Sequence, residues 1–393
     1  MNSPSTLRLA ILALALGSFA IGTSEFAAMG LLPWYAADLS VTEPQAGHVV
    51  SAYALGVVVG APLTSVLGAR LPRRRYLAAL IGAYGILNLV AALLPGYGTL
   101  VAMRFLAGLP HGGFLGVAML FAAAALPREQ RARGVTYIML GLTVANIVGV
   151  PVAGLLGQTL GWRWGFALPG VLAMLSSVLI LKLAPRAGAD PDARPLEELR
   201  ALGNPSVMLV LAVGVIGSGG LFAVYAYLSA AMLATTTPPG WAVPAMLSGF
   251  GLGATLGSIF AARLTIRLGV FRAAFVLLLF MALVQGASSL MVGNWGLMIL
   301  SALLLGLGTG VVVPLQTRLM DVAGRAQSMA AAMNHAAFNA ANALGPWLAG
   351  LALSAGFGWR SPGIVAVALS LAGIAALGIA WRHAQGDHRR AAA

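Results

Sequence analysis

Long apolar runs separated by short polar breaks dominate the pattern of this chain. A helix needs about 20 apolar residues to cross the hydrocarbon core of a bilayer. No charged residue occurs in 201–262, and the break at 235–240 divides that run into two segments of spanning length. A second uncharged run, 273–317, breaks in the same way at 293–296. Each of these runs therefore predicts two membrane-spanning helices joined by a turn.

The same pattern over the whole chain predicts an all-α membrane protein with twelve transmembrane helices. The spans lie near residues 8–31, 46–67, 76–95, 99–122, 134–158, 164–182, 206–233, 243–264, 273–291, 296–317, 328–352 and 362–381. The apolar stretch after Arg8 is too long for the core of a signal peptide, so we expect it to be retained as the first span.

Composition places the chain in lipid and excludes several other classes. Hydrophobic residues make up 60% of the chain and charged residues 8%, whereas a soluble domain has about a quarter of its residues charged. The net charge of +13 does not indicate nucleic acid, because the arginines lie in short clusters between apolar runs. The sequence has no cysteine, which excludes disulfides and thiolate ligands. We expect no metal and no cofactor.

The distribution of lysine and arginine predicts the orientation. Of the 23 basic residues, Arg104 lies inside a span, and Arg163 and Arg360 fall in odd-numbered loops. All the others lie in or beside the even-numbered loops and the two tails. Because cytoplasmic loops carry the excess of basic residues, both termini are predicted to be cytoplasmic.

An internal repeat divides the chain into two halves. Ser51, Gly56, Gly60 and Arg70 recur 197 positions later as Ser248, Gly253, Gly257 and Arg267, and 161–163 recurs as 358–360. The predicted organisation is an N-terminal six-helix half at 1–184, a cytoplasmic linker at 185–205 and a C-terminal six-helix half with a short tail at 206–393. Such halves are expected to be pseudo-symmetric and to enclose a substrate cavity near the bilayer midplane.

Several motifs resemble one transporter family. They are Gly22-Thr23-Ser24-Glu25-Phe26, the stretch 52–56 continuing to 60–62, Arg104 with Pro110-His111-Gly112, and 143–146 leading to 149–151. Together they resemble the drug:proton antiporter branch of the major facilitator superfamily, and most of all its arabinose and sugar efflux permeases. Relatives of that group include amphenicol exporters and purine nucleoside efflux pumps. The resemblance extends through both halves to about Trp381.

The resemblance implies proton-coupled efflux of a small sugar or drug-like solute by alternating access across the bacterial inner membrane. It assigns gating or motif roles to Arg70, Arg73, Arg74, Asn146, Gly149, Pro151, Gly345 and Pro346. The basic cluster departs from the family pattern, because Ala69 and Pro72 stand where an acidic residue and a glycine are usual. A positive-inside anchor on anionic headgroups is the alternative role for that cluster.

Two charges inside predicted spans are candidates for proton coupling. Glu25 lies roughly 10 Å below the periplasmic surface and Arg104 about 9 Å below it, at about 1.5 Å of helix rise per residue. We expect the two to meet, with Glu25 as the proton carrier and Arg104 as its switchable partner. A permanent ion pair between helices is the alternative. His111, near the midplane, is a further candidate for proton coupling or for a bond to a polyol.

Aromatic, imidazole and amide side chains in the spans are candidates for substrate binding. These residues are Trp34, Tyr53, His111, Tyr225, Tyr227, Asn334, His335 and Asn339. Their rings and amides suit sugar hydroxyls and ring faces, and they also suit many drugs. Amides that only join helices are the structural alternative.

The competing functions differ in what they require. A facilitator or proton symporter for uptake of a small polar solute remains open on the same fold. A membrane-embedded enzyme would need a second carboxylate, a metal site or a nucleophile–base pair, and none is evident in the sequence. The expected partners are a small solute, protons and the lipid bilayer, with no nucleic acid, and two complete halves favour a monomer.

Overall fold

The computed structural model describes residues 4–68, 70–94, 96–126, 130–185, 203–322 and 327–392, and its regular elements are all helical. Helices suit an apolar chain in lipid, because each one satisfies its backbone hydrogen bonds within itself. The all-α prediction is therefore confirmed.

The chain divides into two compact units. One comprises Met1–Pro195 with Val243–Ser248, and the other Leu196–Ala242 with Gly249–Ala393. The linker predicted at 185–205 lies mostly outside the described residues, so the domain boundaries stay a prediction.

Within the part of the N-terminal half that the structure describes, there are eight α-helices and one π-helical turn. They are α1 (Pro4–Gly30), α2 (Leu32–Asp38), α3 (Glu43–Gly68), α4 (Arg73–Leu93), α5 (Tyr97–Ala125), α6 (Arg131–Val144), the π-turn Ala145–Gly149, α7 (Val150–Thr159) and α8 (Trp162–Leu183). The short helix α2 was not predicted as a separate element, and the fifth span is interrupted by the π-turn.

The C-terminal half contains seven α-helices and one 3₁₀ turn within the described residues. They are α9 (Pro205–Thr235), α10 (Ala242–Leu268), α11 (Val270–Met291), α12 (Trp295–Gly308), the 3₁₀ turn Thr309–Val311, α13 (Val312–Val322), α14 (Gln327–Ser354) and α15 (Ser361–Ala392). The tenth span is the one interrupted here, by the 3₁₀ turn.

Within the described residues, eleven helical segments are long and apolar enough to span a membrane. Two of them combine elements that run on from one another, Arg133–Thr159 and Trp295–Val322. The remaining predicted span corresponds to α14, which is 28 residues long. The helices thus agree with the twelve predicted spans.

Glycines make the same helix crossing in both units. A side chain at Gly56 or Gly60 of α3 would collide with the carbonyl of Phe105 or Leu109 in α5. The repeat-related glycines of α10 meet the corresponding carbonyls of α12 in the same way. Small residues allow such close backbone approach between membrane helices. The sequence repeat is thus also a repeat in packing.

Candidate functional site

The two charges singled out from the sequence are both buried in the first unit. Glu25 on α1 is 4% exposed, and Arg104 on α5 is 1% exposed. Taking a charge out of water is costly unless polar groups surround it. The surroundings of Arg104 therefore define a site.

Helices α1 and α4 supply the hydrogen-bond acceptors for Arg104. Its Nη1 donates to Ser24 Oγ at 2.8 Å and to Asn88 Oδ1 at 3.3 Å, and its Nη2 donates to the Ser24 carbonyl at 3.4 Å. Ser24 Oγ in turn donates to Asn88 Oδ1 at 2.7 Å. Arg104 Nε has no hydrogen-bond partner among the described residues. The guanidinium group of Arg104 thus links α5 to both α1 and α4 through hydrogen bonds.

Tyr53 on α3 extends this cluster toward His111. The guanidinium carbon of Arg104 lies 3.9 Å from the centroid of the Tyr53 ring, a cation–π contact. The Tyr53 hydroxyl lies 3.2 Å from the Tyr84 hydroxyl and 2.8 Å from His111 Nδ1. We call Ser24, Tyr53, Tyr84, Asn88, Arg104 and His111 the buried polar network. It joins α1, α3, α4 and α5 in one connected set of polar groups.

Glu25 follows Ser24 in α1 and belongs to the same region. Arg104 donates hydrogen bonds to the hydroxyl and the carbonyl of Ser24, the residue that precedes Glu25. The switchable pairing of Glu25 with Arg104 stays a prediction.

Ser24, Tyr84 and Asn88 were missed as site residues from the sequence. Asn88 gave a usable signal, because it is an amide inside the otherwise apolar third span. Its position corresponds at the 197-residue repeat to Gln285, which is also fully buried. Ser24 lies within a quoted motif but was assigned no role.

A second charged contact links α2 to the start of α8. Asp38 Oδ2 accepts a hydrogen bond from Trp162 Nε1 at 2.9 Å and an ion-paired one from Arg163 Nη1 at 2.6 Å. The Arg163 guanidinium lies over the Trp162 ring at 4.4 Å. The bonds from Trp162 and Arg163 hold the pKa of the Asp38 carboxyl below its ordinary value. This contact lies at the ends of the spans.

The basic motif residues lie at the start of α4. Arg70 is exposed on the turn before the helix, and Arg73 and Arg74 are half-buried. Arg74 Nη1 donates to the carbonyl of Ala184 at the end of α8, at 3.3 Å. Ala69 lies outside the described residues. The hydrogen bond from Arg74 to the end of α8 favours a structural role for that residue. The gating role of the motif stays a prediction.

The fifth-span motif coincides with the π-turn. Asn146 Nδ2 donates to the Leu142 carbonyl at 3.0 Å, and Pro151 follows in the first turn of α7. A side chain at Gly149 would collide with the hydroxyl of Thr23 on α1. The glycine therefore allows the π-turn to lie close to α1 at Thr23, the residue before Ser24.

The remaining candidates fall at different places in the two units. Trp34 lies half-buried on α2. Tyr225 stacks on Phe250 with ring centroids 3.8 Å apart, and the Tyr227 hydroxyl donates to the carbonyl of Pro346 at 3.0 Å. Tyr227 thus holds α9 to α14.

Helix α14 carries the polar candidates Asn334, His335 and Asn339. Asn339 Nδ2 donates to the His335 carbonyl at 3.2 Å, and Asn334 is buried. A side chain at Gly345 would collide with the backbone of Gly219 on α9. The described contacts bring Tyr53 and His111 together in the first unit. The asparagines Asn334 and Asn339 lie on α14, in the second unit.

Comparison with known proteins identifies a family. The model of the Major Facilitator Superfamily matches residues 14–242 and 234–392. The inner membrane transport protein YdhP of Escherichia coli (strain K12) is 38% identical over 350 residues, covering 89% of this chain and 90% of that protein. A chloramphenicol resistance protein of Streptomyces lividans is 35% identical over 387 residues, covering 91% and 94%. The crystal structure of the nucleoside transporter NupG (D323A mutant) superimposes with a TM-score of 0.76 at 14% identity, covering 95% of this chain and 99% of that one.

Proposed function

The chain belongs to the Major Facilitator Superfamily, and on that premise we propose that it exports a small solute in exchange for protons. As a member of that family it is a multi-pass transporter of the inner membrane and not an enzyme. Proton exchange, the direction of transport and the class of solute are what the proposal adds.

The observation that carries the proposal is a buried carboxylate, Glu25, that follows Ser24, the residue whose hydroxyl and carbonyl accept hydrogen bonds from the buried Arg104. A carboxylate removed from water holds its proton according to how close a positive charge lies. A conformational change that alters the distance between Glu25 and Arg104 would therefore release or capture one proton. We infer that Glu25 carries the proton and that Arg104 sets when it leaves. His111 offers the next titratable group along the network.

The proposed solute is neutral and sugar-like or drug-like. The relative named for chloramphenicol resistance supports this class, since it covers nearly the whole chain. The candidates for binding its rings and hydroxyls are Trp34, Tyr53, Tyr225, Tyr227 and the amides of α14.

The test uses everted membrane vesicles loaded with a pH-sensitive acridine dye and energised by respiration. L-arabinose, chloramphenicol and adenosine are added in turn. One class of solute is expected to dequench the dye, because solute that enters the vesicle is exchanged for protons that leave it. The Glu25→Gln variant should show no dequenching, since its side chain cannot release a proton. Glu43→Gln, half-buried at the start of α3, is the matched control and should behave like wild type.

Three results would contradict the proposal. Dequenching that survives Glu25→Gln would mean that another group carries the proton. Solute flux that ignores the pH gradient would indicate a facilitator, and protons moving in the same direction as the solute would indicate a symporter. Western blotting of the vesicles establishes that each variant is present in the membrane.

A further inference from the structure

Two asparagines on α14 carry three amide atoms without hydrogen-bond partners among the described residues. Asn342 is 1% exposed, and both its Nδ2 and its Oδ1 lack a partner. Asn339 is fully buried, and its Oδ1 also lacks one. The large majority of buried polar atoms in proteins are hydrogen-bonded, and an unmade bond costs about 1–3 kcal/mol. Three such atoms within one helical turn require an explanation.

The two amides lie beside the face of α14 that packs on α9. In that packed face, the ring of Phe338 lies 4.8 Å from the ring of Phe222, and Ala341 lies beside Gly219. Asn339 follows Phe338 and is turned about 100° from it, whereas Asn342 lies four residues after Phe338 and three before Gly345, at the edge of the face that packs on α9. Being three residues apart, they share one face of the helix.

Local hydrogen bonds do not account for Asn342. An asparagine inside a helix can donate to the carbonyl four residues earlier, as Asn339 does to His335. Asn146, which precedes Asn342 by 196 positions in the repeat, does the same to Leu142 at 3.0 Å. Asn342 makes no such bond although it is the more buried of the two repeat partners. Its donor and its acceptor both lack a partner among the described residues.

We propose that Asn339 and Asn342 bind paired hydroxyl groups of the transported solute. This inference rests on the proposed export of a small solute and names its chemistry. A hydroxyl both donates and accepts, as an amide does, so a diol can satisfy all three open atoms at once. The amides carry no charge, so they would leave a buried ion uncompensated. The site therefore selects a neutral diol. Asn339 was a predicted binding residue, whereas Asn342 was assigned no such role from the sequence.

Thiamphenicol and florfenicol provide a matched pair of probes. They differ in one group, since florfenicol carries fluorine where thiamphenicol has its terminal hydroxyl. Purified protein in lipid nanodiscs would be titrated with each compound and with L-arabinose, and binding read as the shift in unfolding temperature. Wild type is expected to prefer thiamphenicol. Asn342→Leu should lose about tenfold or more in affinity for it and should no longer distinguish the two amphenicols.

Stability without ligand separates binding from a structural role. Leucine in place of an unpartnered amide should leave the unfolding temperature unchanged or raise it. Gln285→Leu is the control, because the amide of Gln285 is buried and hydrogen-bonded to the Ser370 hydroxyl at 2.7 Å. It should unfold at a lower temperature than wild type.

Either of two results would overturn the inference. One is an Asn342→Leu variant that still prefers thiamphenicol as wild type does, or that unfolds as early as Gln285→Leu. The other is a wild type whose unfolding temperature responds to neither thiamphenicol nor L-arabinose. No proton gradient is present in this assay, so a failure of proton coupling would leave the binding result intact.

Discussion

Arg104 shows how a single residue is held as a charge inside the bilayer. Two hydrogen bonds go to Ser24, one goes to Asn88, and the face of the Tyr53 ring covers the guanidinium plane. A desolvated cation–π contact of this kind contributes about 2 kcal/mol. These partners are neutral, so they hold the guanidinium group in place without neutralising its charge. Arg104 therefore stays solvated by protein groups inside the span.

Asp38 gives a prediction for pH at this scale. Its folded pKa is lowered, so the contact stabilises the fold above the unfolded pKa of about 3.9 and is lost as pH falls through the folded value. Asp38→Asn should therefore lower the unfolding temperature in detergent at pH 7, and the difference should vanish under strong acid. The effect should be under about 1 kcal/mol, because the pair is partly exposed and screened by solvent.

The control for Asp38 is a double-mutant cycle with Arg163→Gln. The two changes should be non-additive at neutral pH and additive in strong acid. A cycle that is additive at neutral pH would show that the ion pair contributes nothing to stability. The hydrogen bond from Trp162 can persist in the asparagine variant, so the cycle isolates the charge.

The sequence predicted the buried charges but not their partners. Glu25 and Arg104 stand out because nothing else charged lies so deep in an apolar span. Ser24, Tyr84 and Asn88 are recognised only in the structure, because which side chains meet depends on the rotation and crossing of α1, α4 and α5. Hydropathy sets the length and number of helices and does not determine those angles.

At the scale of elements, the glycine crossings between α10 and α12 leave no room for a side chain at Gly253 or Gly257. A methyl group at Gly253 would collide with the Leu303 carbonyl, whereas one at Gly249 would lie 3.6 Å from the Ile299 carbonyl, an ordinary contact. Gly253→Ala should therefore destabilise the protein by about 1–3 kcal/mol, as overpacking does. Gly249→Ala, one turn earlier on the same helix, is the matched control and should be near neutral.

Thermal unfolding of the two variants in the same detergent measures this difference. Equal unfolding temperatures for Gly253→Ala and Gly249→Ala would contradict the crossing as described. The repeated glycines of α3 and α10 stand out in the sequence, but the helices that they contact were not predicted. The sequence did not predict α2 or the π-turn. The residues of α2 had been assigned to the loop that follows the first span, and the π-turn is a local change in hydrogen bonding that hydropathy does not register.

At the scale of the whole molecule, the two units share a packing plan and differ in chemistry. The positions 197 residues after Glu25 and Tyr53 hold Phe222 and Phe250, so the second unit has no equivalent carboxylate or phenol there. Among the described residues, the second unit instead contributes the buried amides of α14. Under the proposed function, the first unit contributes the proton carrier Glu25, and the second contributes to recognition of the solute.

Counterflow in proteoliposomes separates these two tasks. Purified wild type and Glu25→Gln would be reconstituted, and labelled thiamphenicol would be followed in two modes, exchange without a gradient and accumulation driven by a pH gradient. Proton exchange through Glu25 predicts that the variant retains the exchange of labelled for unlabelled solute and loses accumulation. A variant that still accumulates the solute against its gradient would contradict that role for Glu25.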